Sequence, residues 1–399
     1  MGDSQPSLTA AALAPHYSRF KVAERVLLTG HSHQAWPDVG FEAQQQAWLD
    51  AAAFVDDKWN RAMEQAARVR AGFARLLGDS PGNIALGQNT HELVVRWLSS
   101  LPFRQRRRVV TTDGEFHTIR RQLDRLAEEG IEVVRVVAHP VDSLAARMAA
   151  TIDDTTVAVL VSSVLFQTAE IVPELDRVAR ACESHGAALL VDAYHHLNVV
   201  PFDVRAMQLD GAFVTGGGYK YCQLGEGNCF LRVPPGTRLR PVFTGWFAEF
   251  ESVEDTRETQ GGRHSVTYSP GAAAFTGATY DPTSHYRAAA VFDFHAAQGL
   301  TPERLRAVSV RQMGLLECEF DALDIDPSRA RIERVAAGRR AGFLAIRMPR
   351  ASEVVRALRH ASVFADSRGD ILRLGPAPYV TDDQLRAGIT TLSLVIHGV

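Results

Sequence analysis

Cysteine is scarce in this sequence, and neither long apolar runs nor a strong charge of one sign is present. The cysteines are Cys182, Cys222, Cys229 and Cys318 in a chain of 399 residues, and none of them forms a CxxC spacing. This excludes a disulfide-rich secreted scaffold and predicts free thiols in a reducing compartment. The formal net charge of −3, with both signs scattered along the chain, gives no electrostatic reason to expect nucleic acid or an anionic membrane as a partner.

The start of the chain also lacks the features of a targeting segment. It has neither the basic opening nor the long apolar stretch of a signal peptide, and no run approaches membrane-spanning length. We therefore expect a cytoplasmic protein. Its 46% share of apolar residues is enough to bury a large core, and the length favours one large domain with a smaller one.

Between about residue 84 and residue 235, short β-branched runs alternate with helical stretches. One helix is predicted over Pro173–His185, because its apolar residues follow helical spacing and Gly186 then ends it. Such alternation predicts a mostly parallel sheet with helices on both faces, whose ligands gather at the carboxyl ends of the strands. The predicted strands are Arg108–Thr112, Ile131–Val137, Thr156–Ser162, Ala187–Val191, Gly211–Thr215 and Asn228–Val233.

The two ends of the chain together predict a second, smaller α+β domain. We expect the large domain over residues 40–285 and the smaller one over residues 1–39 together with 286–399, and we expect one long helix to cross between them. The elements predicted after the large domain are helices over Ser284–Gln298 and Pro302–Leu323, a strand over Gly342–Met348, a helix over Ala351–His360 and a short β pair around Val363 and Leu372.

Two opposite charges are predicted at the carboxyl ends of two adjacent strands. An apolar strand delivers Asp192 at its carboxyl end, and the next strand leads through a glycine-rich turn to Tyr219 and Lys220. An aspartate against a pyridine nitrogen keeps that nitrogen protonated, so that the ring accepts electrons. A lysine amine bonds to the cofactor and then moves protons. The pattern predicts pyridoxal 5′-phosphate as the cofactor, with Lys220, Asp192 and Tyr219 as catalytic residues.

Several segments spread along the chain carry further motifs. They are Asp192–His195 with Asn198–Pro201 downstream, Tyr219–Gly227, Thr244–Ala248 and Ala365–Pro378. Together they resemble the class V aminotransferases, and the Gly-Trp-Phe of residues 245–247 makes the chain most similar to kynureninase. The resemblance spans nearly the whole chain. It implies fold type I, the aspartate-aminotransferase-like α/β fold, in a homodimer that acts on a small-molecule amino acid.

The resemblance also implies which residues contact the cofactor. A helix over Thr90–Ser100 would present its N-terminus to the phosphate, and an aromatic ring would stack on the pyridine face and exclude water. The implied contacts are Tyr219, Trp246 and Thr90 at the phosphate, Phe116 on the ring and His195 beside Asp192, with Asn89 and Thr279 completing the cofactor-binding set.

Substrate contacts are implied in the same way. Arg373 would clamp the α-carboxylate, because its planar guanidinium forms a bidentate pair, and His31 and Ser32 would lie near the substrate. Tyr280 and Asp281 stand where the family carries a serine and an asparagine that touches an aryl ketone. An acid accepts hydrogen bonds but does not donate them, so this departure leaves the identity of the substrate side chain open.

The reaction that this resemblance implies is hydrolytic Cβ–Cγ cleavage, which releases alanine. Transamination by a class V aminotransferase and β-elimination by a lyase remain alternatives at the same site. A cysteine desulfurase is disfavoured, because neither Cys222 nor Cys318 has the spacing of its nucleophile. The segment Phe275–Pro282 would be donated across the subunit interface.

A metal site is a hypothesis of a different class, suggested by His31 and His33 after the strand-like Val26–Thr29. A metal-dependent hydrolase would leave Lys220 and Arg373 without roles, and the chain lacks the eight-fold β/α rhythm of the usual host barrel. A fold relative that binds the cofactor, or a partner, without catalysis is the third alternative, although it would usually have lost the lysine or the aspartate. The metal ligands would be His31, His33, His195, His196 and Asp192.

Overall fold

The computed structural model describes residues 8–252 and 266–398. Its strands are β1 (Val26–Leu27), β2 (Ile84–Gly87), β3 (Arg108–Thr112), β4 (Glu132–Val136), β5 (Thr156–Ser162), β6 (Ala188–Asp192), β7 (Phe213–Gly217), β8 (Cys229–Arg232), β9 (Arg331–Ile332), β10 (Leu344–Arg347), β11 (Val363–Phe364), β12 (Asp366–Arg368) and β13 (Ile371–Leu374). Its α-helices are α1 (Ala10–Leu13), α2 (Val39–Phe54), α3 (Lys58–Leu77), α4 (Thr90–Ser99), α5 (His117–Glu128), α6 (Leu144–Thr151), α7 (Leu175–Ser184), α8 (Thr283–Gln298), α9 (Pro302–Asp321), α10 (Ala351–His360) and α11 (Asp382–Gly398).

A seven-stranded sheet forms the centre of the larger part of the molecule, in the order β2–β8–β7–β6–β5–β3–β4. Neighbours from β7 to β4 are parallel, whereas β8 runs antiparallel to both β2 and β7. Every residue of β5 is buried, as expected for a central strand with helices on both faces. The prediction of a mostly parallel α/β sheet is confirmed.

Most predicted elements lie within two residues of the observed ones, but one strand pair was predicted wrongly. The strand with Val363, β11, pairs in parallel with β1, and Val26 is its partner. The strand with Leu372, β13, pairs instead with β10 and with β12. A tight turn at Gly369, where φ is +58°, folds β12 back onto β13, so β12 rather than β11 is the hairpin partner of β13. The short strand β2 was not predicted.

Separate apolar cores fill the two parts of the molecule, and α8 contributes to both. Phe292 packs into a core against the large sheet, whereas Phe294 packs into the core of the smaller part. Two residues along an α-helix are turned by about 200°, which explains the opposite directions. The smaller core takes side chains from residues 13–35 and 294–396. The domain boundaries at residues 40 and 285 remain a prediction.

The four cysteines are free, as predicted, and only Cys318 is exposed. Among the helices of residues 8–252 and 266–398, none is both long enough and apolar enough to cross a membrane.

A buried ion pair fixes the antiparallel strand β8 to the turn after α3. Arg232 Nε lies 2.5 Å from Asp79 Oδ2, and the two side chains are 2% and 7% exposed. The same guanidinium donates from Nη1 to the backbone carbonyls of Asp210 and Ala212, both at 2.7 Å. The charge of Arg232 is therefore fully enclosed, with Asp79 as its anionic partner.

We expect Asp79→Ala to lower the free energy of unfolding by about 3–5 kcal/mol, because it leaves a buried cation without its counter-charge. Urea denaturation followed by circular dichroism measures the change. Glu353→Ala, which breaks the exposed pair with Arg350, is the control and is expected to leave the midpoint unchanged. A loss for Asp79→Ala of about 1 kcal/mol or less, the range of exposed pairs, would contradict this account.

Candidate active site

A cavity of about 400 Å³ opens at the carboxyl ends of β5, β6 and β7. Its walls also include the N-termini of α4 and α5 and the turn that follows β7. Parallel strands end at the same edge of a sheet, so this is where the fold assembles side chains from distant parts of the sequence. The predicted site residues in its lining are Asn89, Thr90, Phe116, Asp192, His195, Tyr219 and Lys220.

Lys220 is buried in the wall of this cavity and contacts His195. Its Nζ lies 2.7 Å from His195 Nε2 and 4.6 Å from the centroid of the Tyr194 ring. Burial lowers the pKa of Lys220 to about 7, even though the negative charge of Asp192 acts in the opposite direction. The amine is therefore shared between its neutral and charged forms at neutral pH.

His195 is neutral and has one unused nitrogen. Burial and the positive charge of Lys220 hold the pKa of His195 well below its usual value. A neutral ring that accepts from the amine at Nε2 carries its proton on Nδ1. That Nδ1 is buried and has no hydrogen-bond partner within the described residues. A buried donor without a partner costs about 1–3 kcal/mol, so this atom is suited to a ligand.

Asp192 ends β6 directly opposite Thr215 of β7, one strand away from the turn that carries Lys220. Its Oδ1 accepts a hydrogen bond of 2.8 Å from the backbone N–H of Tyr194. Burial raises the pKa of Asp192, against the effects of that hydrogen bond and of the charge on Lys220. The acid and the lysine thus lie on neighbouring strand connections, as the sequence predicts, while their catalytic roles remain a prediction.

A second buried acid, Glu115, was not predicted. Its carboxylate accepts hydrogen bonds from Thr112 Oγ1 at 2.6 Å, from Ser162 Oγ at 2.6 Å and from the Ser162 N–H at 3.1 Å. Ser162 pairs with Asp192 in the β5–β6 register, so Glu115 lies behind the wall of the cavity. Burial raises the pKa of Glu115 to about 7 despite these donors. The acid between Gly114 and Phe116 was visible in the sequence, but its burial was not.

The glycines before Tyr219 allow close packing around the turn. A Cβ on Gly217 would overlap the Tyr194 hydroxyl, and a Cβ on Gly218 would lie 2.6 Å from Leu224 Cβ. The sequence predicts a glycine-rich turn at this point. The close approaches in the structure are to protein side chains.

The N-terminus of α4 faces the cavity. Asn89 is its N-cap, because its side chain accepts a hydrogen bond of 2.9 Å from the Glu92 N–H. Thr90 is the first helical residue, and it lines the cavity together with Cys229. The helix ends at Ser99, one residue before the predicted end.

Arg373 and His31 meet at Asp366, which the sequence analysis did not single out. Asp366 Oδ1 lies 2.7 Å from His31 Nε2 and 2.9 Å from Arg373 Nε, and Arg373 Nη2 donates to the other carboxylate oxygen. Arg373 Nη1 donates to the Phe166 carbonyl at 2.6 Å. Burial and the charge of Arg373 lower the pKa of His31 to about 4, so the ring is neutral. This cluster lies outside the cavity lining but interacts electrostatically with Lys220.

The other predicted residues lie away from the cavity of their own chain. Trp246 Nε1 donates to Thr279 Oγ1 at 3.2 Å, and both side chains are exposed. Ser32 Oγ donates to the Thr29 carbonyl at 3.1 Å. Asp281 Oδ1 accepts from the backbone N–H of Thr283 at 2.9 Å, at the start of α8. Tyr280 lies 3.1 Å from a nitrogen of His285, in a second cavity.

The two histidines of the metal hypothesis point to different surroundings. His31 is buried against Asp366, whereas His33 is exposed, stacks on Tyr219 at 4.7 Å and lies 3.2 Å from Glu226. Within residues 8–252 and 266–398, no group of three or more histidine, cysteine, aspartate or glutamate side chains is arranged to hold a metal ion. The geometry gives no support to a metal-dependent hydrolase.

Sequence comparisons relate the chain to the class V aminotransferases. Residues 50–241 match the family model for aminotransferase class V. The uncharacterized aminotransferase YcbU of Bacillus subtilis (strain 168) is 25% identical over 352 residues, which are 87% of this chain and 88% of that protein. Isopenicillin N epimerase of Streptomyces clavuligerus is 29% identical over 192 residues, which are 46% of this chain and 47% of that protein.

Similar solved structures have the same fold at low sequence identity. A mutant of C-DES with glycine covalently linked to its PLP cofactor has a TM-score of 0.80 at 16% identity, covering 95% of this chain and 98% of that one. The cystine C–S lyase C-DES with its product cysteine persulfide has a TM-score of 0.80 at 17% identity, covering 94% and 98%. The cysteine desulfurase CsdA of Escherichia coli has a TM-score of 0.79 at 16% identity, covering 98% and 99%.

These comparisons confirm the predicted fold type I architecture. The predicted pyridoxal phosphate cofactor agrees with the match to aminotransferase class V, since the matched residues 50–241 include both Asp192 and Lys220. The comparisons do not test a kynureninase-like specificity, which remains a prediction.

We expect Lys220 to react as a neutral amine from about pH 7 upwards in protein freed of small-molecule ligands, because its lowered pKa exposes the nucleophilic form there. The measurement is the rate of acetylation by acetic anhydride at Lys220, followed by peptide mass spectrometry across a pH series. In urea-unfolded protein the same rate should rise only towards about pH 10.4. Identical profiles in the folded and unfolded protein would contradict the lowered pKa.

Proposed function

We propose that this chain is a pyridoxal-phosphate-dependent enzyme that acts on an α-amino acid by kynureninase-like hydrolytic Cβ–Cγ cleavage, releasing alanine. The observation that carries the cofactor assignment is the pair of Lys220 and Asp192 on neighbouring strand connections in one cavity of about 400 Å³. The match to the class V family over residues 50–241 supports it. The choice of reaction rests on the Gly-Trp-Phe and Arg373 motifs in the sequence.

The cavity offers a suitable group for each part of the cofactor. The capped N-terminus of α4, at Asn89 and Thr90, suits a phosphate because a helix N-terminus favours negative charge. The unpartnered Nδ1 of His195 suits a polar ring substituent. Phe116 lines the same cavity and provides an aromatic face.

When bound, pyridoxal phosphate supplies an electron sink for negative charge that develops at Cα of the substrate. Lys220 then accepts and returns the Cα proton, and its pKa of about 7 suits both directions at neutral pH. His195 accepts a hydrogen bond from Nζ and thereby orients the amine. Asp192, as a carboxylate, favours positive charge on the group bound beside it.

The contacts of Arg373 support a role in binding a carboxylate. Asp366 and the Phe166 carbonyl engage three of its N–H groups and fix the plane of the guanidinium. The remaining N–H groups are left for a bidentate partner. We propose that this partner is the α-carboxylate of the substrate.

We expect purified protein that has been incubated with pyridoxal phosphate and then freed of unbound cofactor to show a visible absorption band that Lys220→Ala lacks, because the amine forms the covalent attachment. Lys21→Ala, at an exposed lysine, is the matched control and should keep the band. Turnover in Lys220→Ala should fall by about 10²–10⁴-fold, the range for a positioned proton-transfer group. A band of equal intensity in Lys220→Ala would contradict the assignment.

Asp192→Asn is expected to keep the visible band but to lose turnover. Removing the charge partner of a buried group costs about 3–5 kcal/mol, which corresponds to a rate loss of about 10²–10⁴-fold. Steady-state kinetics with the cofactor held at saturation measures this loss. Unchanged turnover in Asp192→Asn would exclude the proposed role of the acid.

The reaction itself is tested with L-kynurenine, 3-hydroxykynurenine and a panel of other amino acids. We expect the visible band to shift with a kynurenine, and alanine to form together with anthranilate or its hydroxylated form. Pyruvate from an amino acid with a β-leaving group would identify β-elimination instead, and a 2-oxo acid with the aminated cofactor would identify transamination. Either result would keep the cofactor and overturn the kynureninase-like reaction.

A further inference from the structure

A second cavity, of about 390 Å³, lies beside the first and shares Gln88 with it. It is bounded by α3, α4 and residues 269–285. One wall is apolar and includes Met63, Phe247 and Ala272. We propose that this cavity binds a carboxylate on an apolar, ring-sized body, and that Arg70 and His285 hold the carboxylate.

Arg70 lines the cavity, and its charge has no partner among the described residues. It projects from α3, is only partly exposed, and makes no hydrogen bond or ion pair within the described parts of the chain. The other arginine of the lining, Arg96, lies 3.5 Å from Glu92 and also donates to a backbone carbonyl. The opposite charges of the paired Arg96 and Glu92 cancel, so the charge of Arg70 makes the described part of the lining cationic.

His285 adds a second unused polar atom to the same wall. The side chain is 2% exposed, and its Nε2 has no hydrogen-bond partner among the described residues. Tyr280 Oη lies 3.1 Å from Nδ1. Burial and the charge of Arg70 lower the pKa of His285 to about 4, so the ring is neutral. With the Tyr280 hydroxyl donating to Nδ1, the ring proton is on Nε2, which is then a free donor on a residue that lines the same cavity as Arg70.

An arginine and a buried N–H donor match the two oxygens of a carboxylate, and a charge-assisted hydrogen bond strengthens such a contact. The volume exceeds what an inorganic ion needs, and the apolar wall suits an aromatic or aliphatic body. Among the described residues, Asp281 is the acid whose charge acts on His285, and it is exposed and engaged at the start of α8. The site therefore selects for an organic anion rather than a cation or a neutral molecule.

A purely structural role predicts a different outcome on substitution. Partly burying a guanidinium without an acceptor disfavours the folded state. Arg70→Gln should therefore leave the thermal midpoint unchanged or raise it, whereas removing a structural ion pair would lower it. This separates a binding residue from one that only supports the fold.

Benzoate is the probe, and isothermal titration of the dimer or monomer as purified, with its cofactor, is the measurement. We expect saturable binding that weakens by about 10–100-fold in Arg70→Gln, the loss for a hydrogen bond to a charged group. Tyr280→Phe, which removes the hydroxyl that fixes the histidine tautomer, should weaken it less. Arg75→Gln, at an exposed arginine on the same helix, is the matched control and should bind normally. Benzamide, which lacks the charge, should not bind measurably.

Steady-state kinetics with benzoate distinguishes a carboxylate on the substrate side chain from one on a separate acid. If benzoate competes with an amino acid substrate and Arg70→Gln raises KM without lowering kcat, the carboxylate belongs to the substrate side chain. If benzoate binds without competing, it marks a site for a separate acid, and the cavity is still an anion site. Both outcomes are independent of which reaction the enzyme catalyses.

Two results would overturn the proposal. The first is benzoate binding of equal affinity in the parent protein and Arg70→Gln, or none in either. The second is a lower thermal midpoint or a dissociated oligomer in Arg70→Gln without any change in benzoate affinity. That second result would assign the cavity to contacts between copies of this chain.

Discussion

A lysine amine enclosed at the edge of a parallel sheet needs nearby groups that stabilise each of its charge states, because burial alone disfavours the cation. Here Asp192 supplies the opposing charge, and neutral His195 accepts a hydrogen bond of 2.7 Å from Nζ. Asp192 is the last residue of β6 and His195 follows it in the connection, whereas the amine comes from the connection after β7. The arrangement therefore depends on the parallel register of two neighbouring strands, and the sheet has to be built before the site exists.

Two clusters of hydrogen-bonded polar groups, one around Glu115 and one around Asp366, lie near the cavity. Glu115 is held from behind by Thr112 and Ser162, next to the strand end of Asp192. Asp366 is held by Arg373 and His31, from the smaller part of the molecule. Charges enclosed in this way interact strongly because little water screens them. The protonation of Lys220 consequently responds to both parts of the chain.

The sequence predicted the sheet and the central pair well, because those features are local. A strand that ends in an acid and a glycine run before a lysine are visible without a structure, and the parallel order follows from the alternation of elements. The pairing of β11 with β1 was missed, since those residues are far apart in the chain. Glu115 and Asp366 were missed for a related reason: their importance comes from burial and from partners in other segments. Trp246 and Thr279 were predicted for the cofactor, yet a single chain leaves them exposed.

Three buried or partly buried arginines differ in how far the fold itself satisfies their charge. Arg232 is enclosed with an aspartate and two carbonyls, so its charge is satisfied by the fold itself. Arg373 is held in one plane by Asp366 and a carbonyl and keeps N–H groups to spare. Arg70 has an apolar wall beside it and no acceptor in the described chain. A charge that folding alone does not satisfy is disfavoured unless something else supplies the acceptor. For Arg70 the carboxylate that we propose for its cavity would supply that acceptor.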